Sequence, residues 1–124
     1  MRLGEVSLLT NQVIRMSKFY RALLEVEDSS DDAIHQTIIG QETMLTIYDD
    51  GSVKEQISSI LSRQNICIAF TVDDLDKEYE KVKILGAKIK EEPTIRPWGT
   101  RNMSFYDPDG NVVYLREYLK NNTK

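Results

Sequence analysis

Short apolar runs with a two-residue period open two segments of the chain, residues 3–9 and Ile66–Val72, and in each the period then lengthens to three or four residues. A period of two marks a strand and a period near 3.6 marks a helix, so both segments read as strand followed by helix. In the first helix, expected over 12–24, Val13, Met16, Phe19 or Tyr20, and Leu23 form one apolar stripe. In the second, Leu75, Tyr79, Val82 and Leu85 do the same. Asn11 and Asp73 are placed to cap the first turns, because a side-chain oxygen there accepts an otherwise orphaned amide. Gly86 suits the left-handed exit of the second helix. A hairpin follows each helix. Ile34–Ile39 pairs with Glu42–Tyr48 around Gly40, and Arg101–Tyr106 pairs with Asn111–Glu117 around Asp107-Pro-Asp-Gly, where Pro fixes φ and Gly accepts a positive φ. Glu25–Glu27 reads as the start of a short strand, Ser29–Asp32 as a polar loop, Ala87–Lys90 as a strand edge and Pro93–Gly99 as an irregular loop.

The two halves repeat one layout, with Ile68 standing 62 positions after Val6. The predicted class is α+β, as two paired βαβββ modules. Module one covers about 1–51 and module two about 65–118 of a single domain over 1–124. Between them, Val53, Ile57, Ile60 and Leu61 have helical spacing, so the linker 52–64 reads as a short covering helix, and 119–124 as a polar tail. Two such units facing one another across a pseudo-twofold would enclose a cleft, and function is expected there.

Composition narrows the function classes. A chain of 124 residues suffices for one domain with a core. No apolar run approaches the roughly 18 residues of a membrane span, and Met1–Gly4 leads into a strand without a signal peptide's apolar stretch, so the expected location is the cytoplasm. The single cysteine, Cys67, forms no internal disulfide, which suits a reducing compartment. A net charge of −4 argues against nucleic acid, whose phosphates demand clustered Lys and Arg. The densest basic segment, Lys77–Lys90, is interleaved with Glu78 and Glu80 and reads as a solvated helix face.

Specific residues add a resemblance. Ser17-Lys-Phe-Tyr-Arg-Ala-Leu-Leu, Ile68-Ala-Phe-Thr-Val-Asp-Asp-Leu, and above all Pro97-Trp-Gly-Thr-Arg followed by Phe105-Tyr-Asp-Pro-Asp-Gly-Asn resemble, in this order, the vicinal oxygen chelate superfamily. That superfamily holds glyoxalase I, bleomycin-resistance proteins and extradiol dioxygenases. The resemblance covers residues 3–118 and implies a cup-shaped mixed and antiparallel sheet with helices on its outer face, and commonly a homodimer. In metal-dependent members, one ligand, usually His or Glu, comes from each of four strands and the cation stabilises an enediolate-like anion. Carried over, those positions fall on Glu5, Leu45, Cys67 and Tyr114. Leu45 cannot ligate, Cys67 is soft, and Tyr114 would have to ionise from a pKa near 10. The lone His35 lies outside the set. The expectation is therefore no metal and no other cofactor.

Strand alternation assigns the lining of the expected cup. With Glu5 and Cys67 on the cup side stand Ser7, Leu9, Ala69 and Thr71, while Val6, Leu8, Ile68, Phe70 and Val72 face the helices. Asn102, Ser104, Tyr106, Tyr114 and Arg116 line the last strands, and Leu45 and Ile47 close one wall. Trp98 either stacks on a planar or cationic ligand at the mouth or plugs a dimer contact. Arg96 and Arg101 flank it, either to meet an anion or simply as surface arginines. Cys67 reads as an inert buried thiol. Glu5 is either an anchor for a cation, or a base, or else one half of an ion pair with Arg116. No nucleophile–base pair accompanies Ser7 or Ser104. The expected partner is a small molecule of unspecified identity, amphipathic or cationic, bound without metal. A metal-dependent lyase, isomerase or dioxygenase with an altered site, and a non-catalytic structural or regulatory dimer, are the alternatives.

Overall fold

The computed structural model describes residues 1–54 and 66–120. The chain divides into two compact units, Met1–Ser59 and Ile60–Lys124. Most of the expected linker helix, 55–64, falls outside the described residues, as do the last four residues of the tail.

Unit one runs β1 (Val6–Leu9), α1 (Val13–Leu24), β2 (His35–Gly40) and β3 (Thr43–Tyr48). Its sheet has the order β1-β3-β2, with β1 parallel and β2 antiparallel to β3. The crossover from β1 through α1 lays the helix on one face. There Val13, Met16, Tyr20 and Leu23 of α1 are buried, as are Ile38, Leu45 and Ile47 of the sheet. Each such side chain contributes about 1.5–3 kcal/mol through removal from water.

Three details of unit one differ from the sequence expectation. Asn11 does not cap α1: the N-cap is Gln12, without a side-chain cap, and its amide donates to Thr10 Oγ1 at 2.9 Å. The helix ends on Glu25 at φ 56°, with Val26 N bonded to Arg21 O, the exit usually taken by glycine. Residues 25–34 form no strand. Their polar composition leaves no apolar face to pair, and side chains organise them instead. Gln36, buried on the helix side of β2, donates to Ser30 O at 3.3 Å and Asp32 O at 2.8 Å and accepts from Arg21, which also binds Asp28. Among the described residues unit one therefore holds three strands, where four were expected.

Unit two runs β4 (Ile68–Thr71), α2 (Leu75–Ile84), β5 (Ile89–Ile95), β6 (Thr100–Tyr106) and β7 (Val112–Tyr118). The sheet order is β4-β7-β6-β5, with β4 parallel to β7 and the remaining pairs antiparallel. Leu75 and Val82 of α2 and Met103, Phe105, Val113 and Leu115 of the sheet are buried. The cap of α2 is Asp74 rather than Asp73, accepting from Lys77 N at 3.1 Å, and Glu117 of β7 accepts from Leu75 N at 2.8 Å. Gly86, at φ 81°, makes the exit that Glu25 makes in unit one. The expected loop 93–99 is shorter than supposed, because β5 continues through Pro93 to Ile95. Proline fits there because β5 is an edge strand, and its register shifts twice against β6. In the final turn the Asp107 carboxylate accepts from Asp109 N and Asn111 N, and Gly110 takes φ 87°. Mixed strands with helices packed on the sheets make the class α+β, as the sequence predicts.

Candidate functional site

Sheet register settles which side chains share a face. In unit one Val6 pairs with Leu45 and Ser7 with Thr46, while Thr37 pairs with Thr46 and Ile39 with Met44. One face thus carries Val6, Leu8, Gln36, Ile38, Leu45 and Ile47 against α1. The opposite face carries Ser7, Leu9, His35, Thr37, Ile39, Met44, Thr46 and Tyr48. Leu45 and Ile47, expected on an open wall, are 2% and 0% exposed on the helix side. A one-residue slip in strand register moves every side chain to the other face, and Thr46 takes the position assigned to Leu45. Leu9, Ile39, Met44 and Tyr48 are exposed on the open face, and His35 packs edge-to-face on Tyr48 at 5.5 Å.

Glu5 enters this face just ahead of β1. It is exposed, and Thr46 Oγ1 donates to its Oε2 at 2.7 Å. The carboxylate is thereby oriented by one hydroxyl, with other lone pairs still able to accept. Ser7, also exposed, lies beside Thr46 in the ladder. Glu5, Ser7 and Thr46 are the polar group that unit one brings together, surrounded by exposed aliphatic and aromatic side chains.

In unit two, Ala69 pairs with Tyr114 and Thr71 with Arg116, while Tyr114 pairs with Ser104 and Arg116 with Asn102. Asn102, Ser104, Tyr106, Tyr114 and Arg116 therefore share one face, opposite Met103, Phe105, Val113 and Leu115. Arg116 Nε donates to Thr71 Oγ1 at 3.0 Å, and its guanidinium lies 5.3 Å from the Tyr118 ring centroid. The Asn102 side-chain oxygen accepts from Thr100 Oγ1 at 2.6 Å, and the Lys88 ammonium stands 5.7 Å from the Tyr106 ring. Ser104 is fully buried, and its hydroxyl has no hydrogen-bond partner among the described residues.

Three expected members of this set stand elsewhere. Arg101 lies on the helix face, one residue out of phase with Asn102, and its Nη2 binds Asp76 of α2 at 2.7 Å. That hydrogen bond holds the Asp76 carboxyl below its ordinary pKa and the Arg101 guanidinium above its own. Trp98 is 66% exposed in the β5–β6 turn, with the Arg96 guanidinium 6.0 Å from its ring. Arg96 is itself paired with Glu91 rather than left for an anion. Cys67 is an exposed free thiol, not a buried one, because β4 begins only at Ile68.

The candidate metal ligands can be judged by their donor chemistry. With the register corrected, the positions that the resemblance assigns to ligands hold Glu5 and Thr46 in unit one and Cys67 and Tyr114 in unit two. That is one carboxylate, a neutral hydroxyl, a thiol and a phenol, with no imidazole. Among the described residues no three His, Cys, Asp or Glu side chains stand together as a cation would require. These residues make a poor set for a hard cation such as magnesium or manganese, and Cys67 is the one donor suited to zinc.

Sequence reasoning missed Thr46, Thr37, Met44 and Tyr48. The signal was present in Met44-Leu-Thr-Ile-Tyr: two aliphatics flanking a threonine put Leu45 and Ile47 on the buried face.

Comparison with known proteins follows the same lines. The family model described as Glyoxalase/Bleomycin resistance protein/Dioxygenase superfamily matches residues 2–115. The uncharacterized protein YetH of Bacillus subtilis is 36% identical over 78 residues, 63% of this chain and 60% of that protein, so the match spans less than two thirds of the relative. Among solved structures, lactoylglutathione lyase from Agrobacterium tumefaciens superposes with a TM-score of 0.70 at 19% identity, covering 94% of this chain and 92% of that one. Fosfomycin resistance protein FosX from Mesorhizobium loti gives 0.70 at 19%, covering 97% and 94%. At these identities the likeness is one of fold.

Proposed function

The chain belongs to the Glyoxalase/Bleomycin resistance protein/Dioxygenase superfamily, and from that premise we propose that it binds a small amphipathic or cationic molecule without a metal ion, as a cytoplasmic homodimer. The observation that carries this reading is Glu5. One carboxylate, oriented by Thr46, borders a sheet face whose exposed side chains include Leu9, Met44 and Tyr48. An apolar surface with a single acid suits a hydrophobic cation: aliphatic and ring contacts provide area, and the carboxylate supplies charge pairing.

The second reading is a metal-dependent lyase, isomerase or dioxygenase of the same superfamily. Family membership favours it, since the superfamily's description includes glyoxalases and dioxygenases. A thermal-shift screen separates the two. Hydrophobic cations are expected to raise the melting temperature of the wild type by mass action, and Glu5→Gln is expected to abolish that rise while leaving the unliganded melting temperature nearly unchanged. Stabilisation by divalent ions alone, together with turnover of a hemithioacetal or catechol, would establish the enzyme instead.

A further inference from the structure

The two sheets differ in how their outer strands meet solvent. One edge of the unit-two sheet is β5, which reads Ile-Lys-Glu-Glu-Pro-Thr-Ile and carries two register shifts against β6. Charge, proline and irregularity are the devices by which proteins keep a sheet edge from pairing with another chain. Unit one has two edge strands, β1 and β2; the longer, β2, reads His-Gln-Thr-Ile-Ile-Gly and pairs with β3 in unbroken register from His35 to Gly40. It carries no Lys, Glu, Asp or Pro.

The backbone groups that β2 presents can be identified. Asp49 N donates to Ile34 O at 2.8 Å, which makes Ile34–Asp49 a hydrogen-bonded pair of the ladder. Such pairs alternate along an antiparallel hairpin. Gln36 and Ile38 therefore bond toward β3, and His35, Thr37 and Ile39 turn their N–H and C=O groups outward. His35 N fits this parity, since it is met by Asp32 Oδ1 at 3.0 Å. The segment 25–34 gives β2 no backbone bond on that edge among the described residues, because it is held through the Gln36 side chain. Thr37 and Ile39 remain as an unblunted edge, and Ile39 is 61% exposed beside Met44.

We propose that this edge pairs with the same edge of a second copy of the chain, antiparallel about a twofold centred on Ile38. In that register Thr37 of each copy exchanges both backbone bonds with Ile39 of the other, giving four hydrogen bonds. Each exposed Ile39 then lies across from a threonine of the other copy. The twofold makes the surface complementary to itself, with the same outward groups on both sides. The proposal rests on the homodimer put forward above and names its surface.

Sedimentation velocity on the full chain, between about 10 μM and 1 mM to cover the affinity of a small edge contact, tests it. The wild type is expected to shift from monomer toward dimer across that range. Ile39→Pro removes an outward amide that β3 does not use, so a monomer with near-native circular dichroism is expected at every concentration. Ile39→Lys, which keeps the backbone intact, is expected to weaken the dimer at least tenfold and guards against misfolding of the proline variant. A dimer insensitive to both substitutions would overturn the edge while leaving a homodimer through another surface. A wild type monomeric throughout would overturn both.

Discussion

Ser104 shows how much a single buried atom decides. Its hydroxyl lies fully buried without a hydrogen-bond partner among the described residues, and a hydroxyl in that state costs about 1–3 kcal/mol in lost hydration. Ser104→Ala is therefore expected to leave stability in urea unchanged or raised by about 1 kcal/mol, where most core substitutions lower it. Gln36 is the opposite case. Its amide joins Arg21 to the carbonyls of Ser30 and Asp32, and Gln36→Leu leaves those groups without it, so a loss of about 1–3 kcal/mol is expected in the same assay. Neither role was legible in the sequence, because a serine or glutamine in a strand declares its face but not its partner. The faces of Asn102, Ser104 and Tyr106 were legible, since Met103 and Phe105 between them are plainly apolar. Arg101 was not, because its ion pair to Asp76 depends on where α2 begins.

At the scale of elements, the two helices test how local chemistry sets boundaries. Both end in the same backbone turn, with Gly86 at φ 81° in one and Glu25 at φ 56° in the other. A left-handed conformation costs a residue with a Cβ about 1–2 kcal/mol. Glu25→Gly is thus expected to stabilise the protein by up to about 1 kcal/mol, read as a higher denaturant midpoint at unchanged slope. At the start of α2, Asp74→Ala is expected to cost about 1 kcal/mol, and Asp73→Ala much less. The strands and helices themselves were readable from periodicity. The parity of β3 was readable too, in Leu45-Thr46-Ile47, but ligand positions carried over from a resemblance displaced that plainer message. The missing strand in 25–34 also escaped notice, because Glu25–Glu27 alternates apolar and polar residues over too short a run to pair.

For the molecule as a whole, charge gives a pH signature. The hydrogen bond from Arg101 holds Asp76 below the ordinary 3.8, and backbone amides of Ile34 and His35 hold Asp32 below it too. A carboxyl with a depressed folded pKa contributes stability that is complete above the unfolded value and lost as pH falls through the folded one. Melting temperature is therefore expected to decline below about pH 4, and Asp76→Asn is expected to soften that decline. Both groups are surface-exposed, so the effect should shrink with added salt.

Function at this scale turns on whether Glu5 answers to a cation of the ligand or to a metal. The most direct measurement is a calorimetric titration of the whole protein with tetraphenylphosphonium, a rigid hydrophobic cation, in buffer containing EDTA. Saturable binding that disappears in Glu5→Gln is the expected result. Binding that appears only after a divalent ion is restored, or that is unchanged in Glu5→Gln, would contradict a metal-free site built around that carboxylate.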